Sequence, residues 1–218
     1  MADDSRRTRI ADAAITTLAR QGSRGLTHRA VDRTAGVPEG STSYYFRTRL
    51  DLLRAIVGRM SDLDTASLPA LTHAGGEEFE EAFTATVHGL LTDGRDRQLA
   101  RYELTLEATR RPELRQALVA NTAPIHGRLT DQLAVLGVPD PEDRARDLLA
   151  LLEGLLFSQL TAADGANGAL SAESTDAVRR LVRRVLRSLD VPLRGTVDGP
   201  SDARGHDGPR RGRGRPRG

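Results

Sequence analysis

The chain has 218 residues, 38% of them hydrophobic, so it is long enough to bury a core in one large domain or two small ones. It contains no cysteine, which excludes disulfide scaffolds and zinc–thiolate sites. No apolar run approaches the roughly 18 residues of a membrane span. The N-terminus, MADDSRRTRI, lacks the apolar core of a signal peptide. We therefore expect a cytoplasmic protein without a membrane partner.

The charge is distributed unevenly along the chain. Residues 1–49 carry a net charge of +4, residues 50–190 carry −6 and residues 191–218 carry +4. Two basic ends flanking an acidic middle suit contact with a polyanion at the ends. Every one of the 32 lysine-plus-arginine positions is arginine, which is typical of a GC-rich bacterial genome. The arginine count by itself is therefore weak evidence for nucleic-acid binding.

Helical periodicity runs through most of the chain without strand alternation, which predicts an all-α fold. The first helix covers about Ser5 to Arg20, and Gly22 ends it. Thr27 is a good N-cap for a second, short helix, and Gly36 can take the left-handed conformation that ends it. Pro38 suits the opening of a third helix. A fourth begins near residue 48.

Pro69 and the pair Gly75-Gly76 predict a linker at 68–76. Beyond it the apolar spacing predicts five further helices, at about 77–91, 95–109, 112–136, 142–163 and 173–189. After Asp190 the composition turns to Gly, Pro, Arg and Asp, which predicts a disordered tail. We therefore expect three parts, at 1–49, 50–190 and 191–218.

The second and third helices have the pattern of a helix-turn-helix, whose second helix enters the DNA major groove. Ala30 and Ala35 are small enough for two helices to cross closely, and Gly36 makes the turn. Val31 and Val37 fill the core beneath that turn. Similar helix pairs occur in proteins that never touch DNA, so this pattern alone leaves the function open.

A longer set of residues in fixed register points to one family. The set is Ile10-x-x-Ala13-Ala14, Gly22, Thr27, Ala35-Gly36-Val37, Gly40-Ser41, Tyr44-Tyr45-Phe46 and Arg49-x-x-Leu52-Leu53. Over residues 6–57 the chain resembles the TetR family of bacterial transcription regulators. The resemblance implies a helix-turn-helix DNA-binding domain at 1–49 and a helical ligand-binding and dimerisation domain at 50–190. It also implies a ligand-responsive regulator, usually a repressor, that binds a palindromic operator as a homodimer until a small molecule releases it.

The resemblance implies contact with double-stranded DNA for Thr27, His28, Ser41, Thr42, Ser43, Tyr44, Tyr45, Arg47 and Arg49. Thr42 and Tyr44 would read bases, while Thr27, Tyr45 and Arg49 would bind phosphates. A helix N-terminus such as that at Thr27 favours an anion. The alternatives are that both tyrosines are packing residues and that Arg47 is a solvated charge. The family often has Leu-Tyr where this chain has Thr42-Ser43, so no operator sequence is carried over.

The helix at 142–163 is apolar around most of its circumference, and such a helix needs cover on two sides. Gly154 at its centre lets another backbone approach. The helix at 173–189 carries an apolar stripe opposite its arginines. We predict a homodimer interface of Leu148, Leu152, Leu155, Leu156, Val178, Leu181, Val182 and Val185. The alternative is that these residues form the core of a monomer.

Polar or aromatic residues on otherwise apolar helical faces are candidates for an effector site. They are His88, Tyr102, Glu103, His126 and Gln159. A few convergent polar groups in an apolar cavity bind an amphipathic small molecule. For each residue the alternative is an ordinary satisfied or exposed side chain, and the sequence does not name the effector.

The sequence favours neither an enzyme nor a metal or cofactor site. Its five histidines lack metal-ligand spacing, and a chain without lysine has no Gly-Lys-Ser/Thr phosphate loop.

The tail sequence Arg213-Gly214-Arg215-Pro216 resembles an AT-hook, which lies in narrow minor grooves. In a GC-rich genome, such sequences also arise from codon composition alone, without a DNA-binding function. The alternative function is therefore an architectural protein that binds AT-rich DNA through its tail and has no inducer.

Overall fold

The computed structural model describes residues 2–67, 75–162 and 175–193, and every regular element within these ranges is an α-helix. The helices are α1 Ala2–Gly25, α2 His28–Ala35, α3 Ser41–Tyr45, α4 Arg49–Ser67, α5 Gly76–Leu91, α6 Arg95–Ala108, α7 Pro112–Val135, α8 Pro141–Thr161 and α9 Thr175–Ser188. The all-α prediction is confirmed. Most of the predicted linker and of the predicted tail, including the AT-hook-like string, lies outside the described residues.

Local capping sets the ends of the short helices. The amide of Ala30 donates to the Thr27 hydroxyl at 3.2 Å, so Thr27 is the N-cap of α2 as predicted. Gly36 ends α2 with φ of 62°, a left-handed conformation that favours glycine. Gly22, at φ 66°, ends the regular part of α1 as predicted, and a last turn up to Gly25 follows it across a kink. These turns follow directly from the glycine positions.

The third helix begins at Ser41, and the prediction that Pro38 opens it is wrong. Gly40 precedes α3 with φ of 91°, and its amide donates to the Asp32 carboxylate at 2.8 Å. The first amides of a helix have no partner within the helix, so a carboxylate placed there fixes where the helix starts. A side chain of α2 therefore determines the start of α3.

The described residues form two apolar cores. The first joins α1–α4 to α6 and the start of α7, and it includes Ile10, Leu18, Val31, Phe46, Leu53, Ile56, Leu104 and Leu114. The second joins α5, α7, α8 and α9, and it includes Phe79, Val87, Leu133, Leu148, Leu156, Val178, Val182 and Leu186. Since α4 lies in the first core, the expected boundary at 49/50 does not follow a break in packing. We call α1–α4 the head and α5 with α7–α9 the bundle; α6 lies between them.

The first residues of the predicted tail are packed against the bundle. Val191 is buried, and Leu193 packs beside it on the second core. A Cβ added to Gly76 would come within 2.3 Å of the Pro192 carbonyl oxygen, so this crossing requires glycine at the start of α5. The segment at 191–193 therefore belongs to the bundle, which corrects the predicted boundary at 190/191.

Candidate nucleic-acid interface and effector site

A buried carboxylate fixes the helix-turn-helix. Asp32 accepts the amides of Gly40 and Thr42 at 2.8 Å each, and the Thr42 hydroxyl at 2.6 Å. Burial alone would raise the pKa of Asp32, but these hydrogen bonds outweigh it and hold the pKa below its ordinary value of 3.8. The carboxylate is therefore ionised at neutral pH. Sequence reasoning missed Asp32, whose only signal was an acid directly after the apolar pair Ala30-Val31.

This arrangement corrects the prediction that Thr42 reads bases. The Thr42 side chain is fully buried and donates to Asp32, so it cannot reach a groove. Ser43 and Tyr44 are the exposed residues of α3, and Tyr44 is 77% exposed. The Tyr44 ring packs edge-on against Tyr45 with centroids 5.1 Å apart, which supports the exposed ring. Ser41 is half-buried beside them.

The other predicted DNA contacts differ in how free their side chains are. Thr27 and Arg47 are exposed. His28 Nε2 lies 2.7 Å from the Phe46 carbonyl oxygen, and because a carbonyl only accepts, this nitrogen carries the proton. The Tyr45 hydroxyl donates to Asp3, a contact that raises the tyrosine pKa. A phosphate at Tyr45 would have to displace Asp3.

Arg49 is engaged inside the protein and does not join this exposed set. Its guanidinium donates to the carbonyl oxygens of Leu26 at 2.8 Å and Ser23 at 2.9 Å, and to the Ser23 hydroxyl at 2.8 Å. It also pairs with the Glu107 carboxylate of α6 at 3.1 Å. The Arg49 side chain is 34% exposed, and a phosphate there would have to compete with these internal acceptors.

The five predicted effector residues do not converge on one cavity. Glu103 accepts the Ser23 amide at 3.0 Å, so it belongs to the contact between α1 and α6. His88 on α5 and His126 on α7 are half-buried, as is Gln159 on α8. A groove of about 660 Å³ opens between α5 and α9, but none of the five lines it. Acidic and basic side chains dominate that groove, and Arg183 pairs there with both oxygens of Glu80.

Tyr102 alone of these five packs against another aromatic ring. It meets Phe157 of α8 edge-on with centroids 5.2 Å apart, and Phe157 is 51% exposed. Burial raises the pKa of Tyr102 to about 12, so its phenol is neutral at physiological pH. The Gln98 amide donates to the nearby Glu153 carboxylate at 3.0 Å. The patch thus combines two aromatic rings with one carboxylate.

The predicted dimer residues mostly face the core of their own protomer. Five of them are buried in the second core: Leu148, Leu152, Leu156, Val178 and Val182. Leu155, Leu181 and Val185 are half-buried. Buried side chains are not available to a second copy, so this part of the prediction is wrong. The outward face of α8 carries small and apolar residues instead: Ala150, Leu151, Gly154 and Ser158.

In the part of the chain that the structure describes, no group of three or more His, Asp or Glu side chains could hold a metal ion. No helix within it is long and apolar enough to cross a membrane.

Fold and site together define a helix-turn-helix regulator with an all-helical second part. Residues 74–188 match the model of the tetracyclin repressor-like C-terminal domain. The HTH-type transcriptional regulator BetI of Agrobacterium fabrum (strain C58 / ATCC 33970) is 30% identical over 155 residues, which cover 69% of this chain and 74% of that protein. The chain belongs to the TetR family of transcription regulators, which confirms the resemblance seen in its sequence.

Solved structures agree with this assignment. The multidrug binding protein EbrR, complexed with imidazole, is 30% identical over 88% of this chain and 98% of its own, with a TM-score of 0.57. A TetR-family member from Streptomyces coelicolor A3 is 29% identical, covering 83% and 97% of the two chains, with a TM-score of 0.63. A regulator from Rhodococcus sp. at 24% identity and TM-score 0.67, covering 85% and 98%, shares the fold.

Proposed function

We propose that this protein is a ligand-responsive repressor that binds a palindromic operator in the bacterial cytoplasm as a homodimer and leaves it when a small molecule binds. The observation that carries the proposal is the exposure of Ser43 and Tyr44 on a helix that Asp32 holds in place. The same helix-turn-helix begins at the N-terminus of α2 at Thr27, and a helix N-terminus favours an anion. We assign α1–α4 to DNA binding and the bundle to dimerisation.

Selection of binding sites from random duplexes, followed by footprinting, tests the DNA-binding part. We expect a short palindrome, and Tyr44→Ala should lose about 1–3 kcal/mol at one base position of each half-site. Arg128→Ala, an exposed arginine on α7, is the matched control and should leave sequence preference unchanged. Diffuse coverage of AT-rich DNA would instead favour the architectural alternative.

The homodimer is proposed on the outward face of α8. Leu151 is 45% exposed, and open space surrounds the position of a Cβ at Gly154, which would let a second helix approach closely. Leu151→Glu together with Gly154→Glu should give a monomer in sedimentation. Val119→Glu places one such charge at an exposed apolar position of α7 and should stay dimeric. A double variant that remained dimeric would exclude this face.

The effector site is proposed at Tyr102, Phe157 and Glu153. EbrR has been solved with proflavin, ethidium and malachite green, which are aromatic cations. Aromatic rings and a carboxylate attract such ions through cation–π and charge interactions. Ethidium fluorescence, measured on the full chain without DNA, should show about tenfold weaker binding for Phe157→Ala. His126→Ala is the control, and equal loss in both variants would contradict this site.

A further inference from the structure

Polar contacts tie α6 to the head in addition to the shared apolar core. The Glu103 carboxylate accepts the Ser23 amide, and the Glu107 carboxylate pairs with Arg49. Toward the other end of α6, Arg97 and Arg101 both pair with Asp64 of α4. Charged hydrogen bonds are short and directional, so they fix a relative position more narrowly than apolar packing does.

Glu107 lies at the centre of these contacts. It accepts from Arg49 at 3.1 Å, from Arg111 at 3.0 Å and from the Ser23 hydroxyl, and its side chain is only 9% exposed. Burial alone would raise the pKa of Glu107, but the hydrogen bonds from Arg49 and Ser23 outweigh it and lower the pKa. The Glu107 carboxylate is therefore ionised at neutral pH.

Arg49 connects this carboxylate to the turn between α1 and α2. One end of its guanidinium donates to the Leu26 carbonyl and the other to the Ser23 carbonyl, so it spans the turn between α1 and α2. Leu26 directly precedes Thr27, whose hydroxyl caps α2. A single side chain thus joins α4, α6 and the turn that leads into the N-terminus of α2.

We propose that Arg49 and Glu107 are positioning residues for DNA binding. The pair holds the α1–α2 turn, and with it Thr27, at the place from which the head engages DNA. Arg49 acts through this turn and not as a phosphate ligand.

A double-mutant cycle in the full chain tests the pairing. Arg49→Gln and Glu107→Gln should each weaken binding to the selected operator by a similar factor, about tenfold. The double variant should lose much less than the sum of the two single losses, because both changes break the contact that the two residues share. Additive losses in the double variant would overturn the proposal.

Salt dependence distinguishes positioning from direct contact. A lost phosphate contact reduces the slope of log K against log[salt] by about 0.9, and loss of a positioning residue leaves it unchanged. We expect an unchanged slope for Arg49→Gln, with exposed Arg47→Gln as the comparison variant. A slope reduced by about 0.9 in Arg49→Gln, with full affinity in Glu107→Gln, would make Arg49 a phosphate ligand.

A second variant covers the case in which Glu107→Gln fails to fold. Ser23→Ala removes a hydroxyl that both partners use and keeps both charges, and it should also weaken operator binding at constant salt slope. Full operator affinity in Ser23→Ala would contradict the positioning role.

Discussion

The head and the bundle both pack around apolar cores, but they differ in the polar contacts added to those cores. In the head, buried polar groups set the geometry: Asp32 fixes α3 against α2, and Arg49 closes the turn before α2. In the bundle, apolar stripes such as that of Leu148, Leu152 and Leu156 set the packing, and its Arg183–Glu80 pair lies at the edge of an open groove. Directional contacts suit a surface that must match DNA, and apolar packing tolerates the repacking that an effector requires.

Cavity formation in the bundle should produce the largest loss of stability. Leu148→Ala removes a fully buried side chain from the second core and should lower the free energy of unfolding by about 3 kcal/mol. Val119→Ala, at an exposed position of α7, should change it by less than about 0.5 kcal/mol. Denaturant unfolding measures both values. Equal losses would mean that Leu148 faces outward, as in the predicted interface.

A polar substitution in the head should cost less stability but more function. Asp32→Asn keeps the shape but weakens the hydrogen bonds to Gly40 and Thr42, so the free energy of unfolding should fall by about 2 kcal/mol. Operator binding should fall with it, because α3 loses its fixed start. Glu39→Gln, in an exposed pair with Arg29, is the control for stability. An Asp32→Asn variant with unchanged stability and affinity would show that this buried carboxylate does not set the geometry of the head.

Thr42→Val separates packing from base reading. The buried hydroxyl donates to Asp32, so its removal should lower the free energy of unfolding by about 1 kcal/mol. Because Thr42 cannot touch DNA, the bases preferred in the selected operator should not change. A new preference at one base position would restore Thr42 as a base reader.

The pH dependence of the unfolding free energy should be the smallest of these effects. The pKa of Asp32 is lowered in the folded protein, so its stabilising contribution is fully present above the ordinary value of 3.8. That contribution is lost as the pH falls through the lower folded value. The difference in unfolding free energy between wild type and Asp32→Asn should therefore be constant above about pH 5 and shrink below pH 3.8. A difference that grew on acidification would contradict the lowered pKa.

Sequence reasoning worked best where the determinants are local. Thr27 and Gly36 end α2 through hydrogen bonds to neighbouring residues, so their roles were visible in the spacing. The family resemblance implies DNA contact for Ser43 and Tyr44, and both side chains are exposed on α3. The bundle was harder, because a helix such as α8 has apolar residues on several faces. The periodicity of the apolar residues then identifies the helix, but it does not show which face packs against the core of the protomer.

The sequence by itself determined the all-α class, the helix-turn-helix register and the family, because capping residues, turn glycines and apolar spacing act within a few neighbouring positions. Only the tertiary structure decided that Thr42 and Arg49 turn inward. Their partners, Asp32 and Glu107, lie 10 and 58 residues away in the chain, and no local pattern encodes such pairings. The same holds for α8, where contacts with α7 and α9 decide which leucines are buried.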